Sequence, residues 1–214
     1  MAAQPFSWED LGRFKRDGRF IAHYPPNVRS FFSPDDDIHA LLTALLSSAE
    51  QSLVINMFGY DDAELDAVIK SKLVDEHVYV QMSLDRSQSK SGKTERQILD
   101  AWDHDYFGNS IAIGTSSKHA ISHLKMVIVD GIYTVKGSTN WSLGGEHEQD
   151  NELTVTNSAV VAAEARAVLD RNHDFMLKQM AAERAKEAAD GKPAKPRAGR
   201  FMRAAEAGGT RRDP

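Results

Sequence analysis

The stretch HLKMVIVDGIYTVKGSTNWS, residues 123–142, most constrains the fold, because it reads as two short apolar strands joined by a tight turn. Asp130-Gly131 is a strong two-residue hairpin turn, since both positions of such a turn need a positive φ. Yet the strands also carry an imidazole, ammonium groups, a hydroxyl and a carboxamide. A hairpin that is only structural does not need so many polar side chains, so the pattern indicates a chemical role.

The predicted hairpin gathers these polar groups on one face. A turn centred on residues 130 and 131 pairs His123 with Ser138. Side chains alternate along a strand, so Lys125 shares the face of His123, and Asn140 shares that of Ser138. Directly opposed residues have Cβ atoms about 5 Å apart. Hydrogen-bond donors beside an imidazole suit a phosphate group, whose oxygens only accept.

Lys136 and Asp130 fit this face less well. In the predicted register Lys136 opposes Lys125, which is unfavourable unless an anion lies between them. The alternative is a bulge near Gly137 that turns Lys136 outward. Asp130 has the opposite parity to Lys125 and lies roughly 16 Å further along the strand. We therefore predict a structural role in the turn for Asp130 and Gly131.

Strand and helix patterns alternate through the rest of the chain, which predicts an α/β fold with a mixed central sheet flanked by helices on both faces. Ser158 is suited to cap the last helix. The predicted strands are 52–58, 78–84, 110–114 and 151–157, and the predicted helices are 35–51, 62–73, 94–103 and 159–190.

Composition restricts the cellular and chemical context. The chain has no cysteine, so it can form neither disulfides nor thiolate metal sites. We find no secretory signal, and the apolar helix candidate at 38–46 is too short to span a bilayer, so we expect a cytoplasmic protein without stable membrane insertion. The net charge is −5, although residues 181–214 hold nine Lys/Arg against five Asp/Glu. An acidic body is poor evidence for a large nucleic-acid footprint.

The motif His-x-Lys-x4-Asp at 123–130, followed by Gly-Ser-x-Asn at 137–140, resembles the signature of the phospholipase D superfamily. FFSPDDDIHALLTALLSSAEQSLVINMFGYDDAELDAVIKSKL and LDRSQS resemble its short, single-motif branch, which includes small bacterial endonucleases and the mitochondrial cardiolipin hydrolase. The resemblance covers residues 31–178. It implies a phospholipase D-like catalytic domain over 31–190, between an N-terminal arm at 1–30 and a disordered basic tail at 191–214.

The resemblance also implies a mechanism and the residues that perform it. His123 would attack phosphorus to form a phosphohistidine, and the His123 of a second subunit would act as acid and base. Lys125 and Asn140 would hold the phosphoryl oxygens, helped by Ser138. Glu152 would orient the histidine. This chemistry needs no metal and no cofactor, but it needs a homodimer, because the motif occurs once.

For residues outside the motif, the sequence predicts simpler roles. Ser87 and Gln88, in the polar loop DRSQSKSGK, are either substrate contacts or part of a linker, and Lys136 is a further candidate substrate contact. His39 is predicted to be structural. The run GGEHEQDNE is predicted to be a solvated acidic loop rather than a metal site, since its spacing meets no ligand rule.

Three functions remain open from sequence. A nuclease that cleaves DNA or RNA is favoured, because compact members of this branch are mostly nucleases. A phospholipase D that hydrolyses phospholipid head groups uses the same bond chemistry and differs only around the pocket. A catalytically inactive binding module is the third possibility, although the motif residues are all present.

Overall fold

A computed structural model of the protein describes residues 6–90 and 110–191. The helix predicted over 94–103 and the tail beyond residue 191 lie outside the described residues. Short 3-10 helices occupy Leu11–Phe14 and Arg86–Lys90. The strands are β1 (Val28–Ser33), β2 (Ser52–Met57), β3 (Tyr79–Asp85), β4 (Ile111–Gly114), β5 (Lys125–Val129), β6 (Tyr133–Gly137) and β7 (Asn151–Asn157). The α-helices are α1 (Ile38–Ser47), α2 (Ala63–Leu73), α3 (Leu143–His147) and α4 (Ala159–Ala189).

The strands form one mixed sheet in the order β1-β7-β6-β5-β2-β3-β4. β2, β3 and β4 are parallel to one another, whereas β5 runs antiparallel to both β2 and β6. β7 lies antiparallel between β6 and β1. The predicted α/β class with a mixed central sheet is confirmed.

Helices cover both faces of the sheet, as predicted. The alternating side chains of β2 show this directly: Leu53 and Ile55 pack with α1 and α2, whereas Val54 packs with α4. The apolar stripe of α4 continues along β4 through Met176 and Met180. No helix within residues 6–90 and 110–191 has the length and apolar character that crossing a bilayer requires.

The N-terminal region is packed onto the main core. Trp8, Leu11 and Phe14 are buried in the same cluster as the α1 side chains. Lys15 pairs with the buried Asp36 at 2.5 Å. The predicted strands do not include β1, because β7 supplies the backbone partners that this short segment lacks by itself.

The hairpin register differs from the predicted one by a single residue. Ile132 N–H donates to Val129 O (3.0 Å), so the Asp130-Gly131 turn forms with positive φ at both residues. The strand partner of Val129, however, is Tyr133. Ile132 is thus an extra, bulged residue, and its carbonyl accepts from Ser158 N (3.0 Å).

This bulge corrects the predicted pairs of the hairpin. Lys136 opposes Met126 rather than Lys125, so it lies on the opposite face of the sheet and is exposed. The bulge that turns Lys136 outward is at Ile132, not near Gly137. A one-residue slip has this effect because side chains alternate with a period of two.

The acid-rich run after the hairpin is not a solvated loop. Residues 143–147 form the short helix α3, whose start is capped by the Ser142 hydroxyl accepting from Gly145 N (3.1 Å). Glu146, expected to face solvent, is only 1% exposed. Sequence reasoning missed this because the helix is too short to show a helical period.

Candidate active site

Three motif residues, His123, Lys125 and Asn140, meet at the C-terminal end of β2, where Phe58 and Gly59 follow the strand. The exposed ring of His123 lies edge-on to Phe58, with ring centroids 4.5 Å apart. Lys125 Nζ lies 4.8 Å from the same ring and donates to the His123 carbonyl at 3.1 Å. Phe58 therefore holds both the imidazole and the ammonium group.

Lys125 is the buried cation of the site. It is 8% exposed, and it begins β5 opposite Met57. Burial lowers the pKa of its ammonium group from the ordinary value, and no other cause contributes to the shift. No acidic side chain within residues 6–90 and 110–191 pairs with Lys125, and such a desolvated ammonium group gains most from an anion that enters the site.

Asn140 is fixed by the residue next to Phe58. Its Oδ1 accepts a hydrogen bond from Gly59 N (3.1 Å), and Trp141 N returns one to Gly59 O (3.0 Å). Because the oxygen of the carboxamide is engaged, the NH₂ group is the end that Asn140 presents elsewhere. His123 and Asn140 are thus positioned by two consecutive residues of one segment.

Ser138 and Glu152 lie close together, because the Ser138 side chain bonds to the start of β7. The Ser138 hydroxyl donates to Asn151 Oδ1 (2.8 Å) and accepts from Glu152 N (3.1 Å). The Glu152 carboxylate accepts from Thr154 Oγ1 (2.5 Å). The structure therefore places the Glu152 carboxylate beside a threonine of its own strand, and its orienting role toward His123 stays a prediction.

Gly137 permits the close approach of β6 to β7. A Cβ at this position would lie 2.0 Å from the Glu152 carbonyl oxygen, so a larger residue would push the strands apart. Asp130 and Gly131 lie at the opposite end of β5 from His123. Their position agrees with a structural role, whereas Lys136 is on the face away from Lys125.

Sequence reasoning missed Asp85, which ends β3. Its fully buried carboxylate accepts a hydrogen bond from the backbone N–H of Ser122 (2.5 Å), the residue that precedes His123. It also accepts from Ser87 N (2.9 Å) and Oγ (2.6 Å), and Gln88 Nε2 donates to Ser87 Oγ (3.2 Å). The available signal was an aspartate directly after an apolar strand. Ser87 and Gln88 are therefore linked to the active-site loop through one carboxylate.

Comparison with known protein families shows which family this chain belongs to. The family profile described as "Cardiolipin synthase, PLD-like domain" matches residues 42–173, which is more than half of the chain. The protein belongs to the phospholipase D superfamily. A search of curated protein sequences found no match.

Solved structures with this phospholipase D-like fold include Nuc from Salmonella typhimurium, a phospholipase D family member (20% identity, TM-score 0.56, 69% of this chain and 93% of that one). NucT from Helicobacter pylori has 21% identity and a TM-score of 0.58, over 69% of this chain and 95% of that one. Phosphatidylserine synthase from Haemophilus influenzae has 12% identity and a TM-score of 0.52, over 77% of this chain but 46% of that one. At these identities the likeness concerns the fold.

The phospholipase D-like site combines three groups with different capacities. An exposed imidazole can reach a substrate phosphorus and form a covalent bond to it. A buried ammonium group and a carboxamide NH₂ can stabilise charge on the phosphoryl oxygens. Membership in the superfamily indicates phosphodiester chemistry, which these three groups suit.

Proposed function

We propose that this protein is a nuclease that hydrolyses phosphodiester bonds through a phosphohistidine on His123, as a homodimer with one composite site. The observation that carries the proposal is the convergence of His123, Lys125 and Asn140 on the Phe58-Gly59 segment. A binding module would have no need for an exposed imidazole beside a buried, unneutralised ammonium group.

The reaction has two displacements at phosphorus. In the first, a ring nitrogen of His123 bonds to phosphorus while the bond to the leaving oxygen breaks, and the imidazolium of the partner subunit's His123 protonates that oxygen. In the second, the same partner imidazole takes a proton from water. The water oxygen bonds to phosphorus and the phosphorus–nitrogen bond breaks, which restores His123.

Lys125 and Asn140 act on the charge that builds up in each displacement. Lys125 Nζ brings a full positive charge, and no acidic side chain in the described part of the chain pairs with it. Asn140 offers its NH₂ group because its oxygen is held by Gly59 N–H. Donors fixed before the reaction need no reorganisation when charge develops, which is the main advantage of such sites. The protein's own residues therefore supply every step.

Nucleic acid is the substrate that the chain architecture supports best. The described fold aligns with nearly all of Nuc and NucT, but with less than half of phosphatidylserine synthase. The described fold thus corresponds in extent to the compact Nuc and NucT domains rather than to the whole of the larger lipid enzyme.

A phospholipid is the second candidate substrate, and one surface feature favours it. Ile121, two residues before His123, is 51% exposed, and Leu143, three residues after Asn140, is 67% exposed. Exposed apolar side chains close in sequence to the residues of a phosphodiesterase site suit contact with lipid chains. The family profile that matches the chain also carries the words cardiolipin synthase in its description.

The proposal is tested by assaying both substrate classes in EDTA with the same preparations. Labelled single-stranded DNA, double-stranded DNA and RNA are compared with vesicles of cardiolipin or phosphatidylcholine. We expect the wild-type protein to cleave nucleic acid and to form an acid-labile, base-stable phosphoprotein. The activity of His123→Ala is expected to be lower by about 10³-fold or more, and this variant should form no labelled phosphoprotein.

The matched control is His77→Ala, which removes a histidine whose side chain is 90% exposed. This variant should retain wild-type activity. Cleavage of vesicles but not of nucleic acid would establish the phospholipid alternative instead. Absence of cleavage of either class, with no phosphohistidine formed, would show a binding module and contradict the proposal.

A further inference from the structure

A second cluster of ionisable side chains lies outside the phosphodiesterase site. It joins α1, the start of α2 and α3, and its centre is His39. The His39 Nδ1 atom lies 2.8 Å from Glu146 Oε2 and 3.2 Å from Asp62 Oδ2. The Nε2 atom lies 3.1 Å from Glu64 Oε2. The ring of His147 is 5.6 Å from that of His39, between centroids. We call these five residues the His39 cluster.

Glu146 is the residue that ordinary side-chain pairing does not explain. Its side chain is 0% exposed. Only one carboxylate oxygen is paired: Oε2 contacts His39, whereas Oε1 is buried without a hydrogen-bond partner. An unpaired buried oxygen of a charged group is costly. The cluster therefore lacks a group that can bind to this oxygen.

Two groups can satisfy Glu146: a proton or a cation. Burial raises the pKa of Glu146 to about 7, so protonation is the simpler alternative. A proton, however, neutralises only one carboxylate. Asp62 and Glu64 also contact His39, so three carboxylates surround a single imidazole. A divalent cation bound to both oxygens of Glu146 would compensate more of this charge, and its bonds to Nδ1 and Oε2 would replace the hydrogen bond between these two atoms.

We propose that the His39 cluster binds a divalent transition-metal ion of the zinc class. His39, Glu146 and His147 each offer one ligand atom, and these atoms lie within 4.8 Å of one another. Two imidazoles and a carboxylate are ligands that zinc prefers, and neighbouring ligand atoms of a tetrahedral zinc ion are separated by about 3.3 Å. Asp62 Oδ2, 3.2 Å from His39 Nδ1, is placed to be the fourth ligand.

The second nitrogen of His39 already has the partner that a metal-bound imidazole needs. When Nδ1 binds the metal, Nε2–H donates to Glu64, as ligating histidines commonly do to a carboxylate. Asp62 keeps its other oxygen on Leu65 N (2.7 Å), as the cap of α2. His147 is exposed, so its side chain has room to bring a ring nitrogen to metal-binding distance.

The position of the site gives the ion a structural role. Asp61 N and Asp62 N donate to Trp141 O (2.9 and 3.2 Å), and α3 begins directly after Trp141 and Ser142. A metal held by α1, α2 and α3 would thus brace the segment that carries Asn140. The ion would take no part in the phosphodiester reaction, and this inference does not depend on the proposed function.

The test uses the full chain with His123→Ala, which removes hydrolysis and the histidine of the other site. Metal content after exhaustive dialysis is measured by mass spectrometry, and affinity by competition with a chromophoric chelator. We expect one Zn²⁺ per chain, a higher melting temperature with Zn²⁺ than with EDTA, and a visible spectrum of tetrahedral Co²⁺ on substitution. Glu146→Gln and His147→Ala are each expected to weaken Zn²⁺ binding at least about 10-fold.

His147→Ala keeps the proposal testable if Glu146→Gln fails to fold, because His147 is exposed. The matched control is His77→Ala, which disrupts an exposed His–Asp pair with Nδ1 and Oδ1 3.2 Å apart and should leave Zn²⁺ affinity unchanged. Less than one tenth of a Zn²⁺ per chain, with the same melting temperature in Zn²⁺ and EDTA, would show that a proton satisfies Glu146. Equal Zn²⁺ affinity in the proteins with and without His147→Ala would also overturn the proposal.

Discussion

Asp130 and Ser52 exchange two hydrogen bonds across the end of the sheet. Asp130 N–H donates to Ser52 O (2.9 Å), and Ser52 N–H donates to Asp130 Oδ1 (2.8 Å). The same carboxylate accepts from Gln51 N (2.8 Å) and Glu50 N (3.1 Å). The aspartate of the motif therefore caps the segment that leads into β2, at the far end of β5 from His123.

Replacing Asp130 is expected to lower stability more than chemistry. Asp130→Ala leaves three backbone N–H groups without their charged acceptor, which costs about 2–3 kcal/mol of unfolding free energy. Asp130→Asn keeps one acceptor oxygen and is expected to cost about half as much. Denaturant unfolding gives the stability, and activity per folded molecule gives the chemistry. Unchanged unfolding together with abolished hydrolysis would assign Asp130 a direct catalytic role.

The sequence predicted the α/β class and most strands because their apolar runs are bounded by clear turn residues. It failed for β1, which is short and lies between prolines, and which becomes a strand only through pairing with β7. It also failed for α3, because a five-residue helix shows no period. Both elements depend on tertiary contacts that a local pattern does not contain.

The site was predictable to the extent that its residues share a motif. His123, Lys125 and Asn140 were chosen from their spacing, although the register behind that choice was wrong by one residue. The extra residue is Ile132, whose carbonyl bonds to Ser158 N. That partner is distant in sequence, so no turn rule reveals it. For the same reason, Phe58 and Gly59 were not recognised as the residues that hold the site together.

Gly59→Ala is expected to disturb Asn140 without disturbing the fold. A Cβ at this position would lie 2.8 Å from Asn140 Cγ and 2.9 Å from Oδ1, so the carboxamide must move. We expect kcat to fall about 10²-fold, since small misplacements of a positioned donor are costly. Steady-state kinetics measures kcat, and thermal unfolding should show a loss of less than about 1 kcal/mol.

Two further variants make the Gly59 experiment specific. Gly144→Ala is the control, because its new methyl group would meet only flexible side chains, at 3.3 Å or more. In the Asn140→Ala background, Gly59→Ala should add little, since the side chain that it displaces is absent. Full additivity of the two substitutions would show that Gly59 acts by another route.

Lys125 predicts a trade-off between activity and stability. Burial lowers its pKa below the ordinary value of 10.5. Between the folded and unfolded pKa values, the unfolded chain binds more protons, so the charged lysine opposes folding at neutral pH and the folded state gains stability as pH rises. Lys125→Met should therefore be as stable as the wild type or more stable at pH 7, yet inactive. Unfolding and kcat/KM, measured on the same sample, check both parts.

The pH profile of hydrolysis provides a second measurement of this lysine. Because kcat/KM reports the pKa values of the free enzyme, a first alkaline fall belongs to the imidazolium that acts as the acid, and a second alkaline limb should follow at a pH below 10.5 as Lys125 loses its proton. In Lys125→Arg the guanidinium group stays protonated throughout the accessible pH range. The alkaline limb that Lys125 sets should therefore move to higher pH, even if the activity of the variant is lower. Identical alkaline limbs in the two proteins would exclude Lys125 as the titrating group.

Asp36 is expected to contribute stability that acid removes. Burial alone would raise its pKa, but hydrogen bonds from Lys15 Nζ, Arg16 N and Phe32 N hold the pKa below the ordinary value of 3.8. This contribution is complete above pH 3.8 and is lost as pH falls through the lower, folded value. Asp36→Asn should lose about 2–4 kcal/mol at pH 7 and less at pH 2.

Asp35→Asn is the matched control for Asp36. Like Asp36, Asp35 has a basic partner, since its carboxylate lies 3.0 Å from the Arg16 guanidinium group. The Asp35 side chain, however, is 60% exposed. Exposed pairs contribute about 0–1 kcal/mol, so this variant should unfold almost like the wild type at every pH. Equal losses in the two variants would contradict a specific role of the buried pair.

The composite site predicts how mixed dimers behave. The proposed mechanism needs two His123 side chains, and each chain carries the motif once. A twofold axis can bring both to one phosphate, so a hybrid of wild type with His123→Ala has only one imidazole and should be inactive. After subunit exchange in an equal mixture, activity should fall to about one quarter of the all-wild-type value, rather than to about one half. Mixing with His77→Ala should cause no loss. Linear dependence of activity on the wild-type fraction, or a fully active monomer seen by light scattering at the assay concentration, would contradict the shared site.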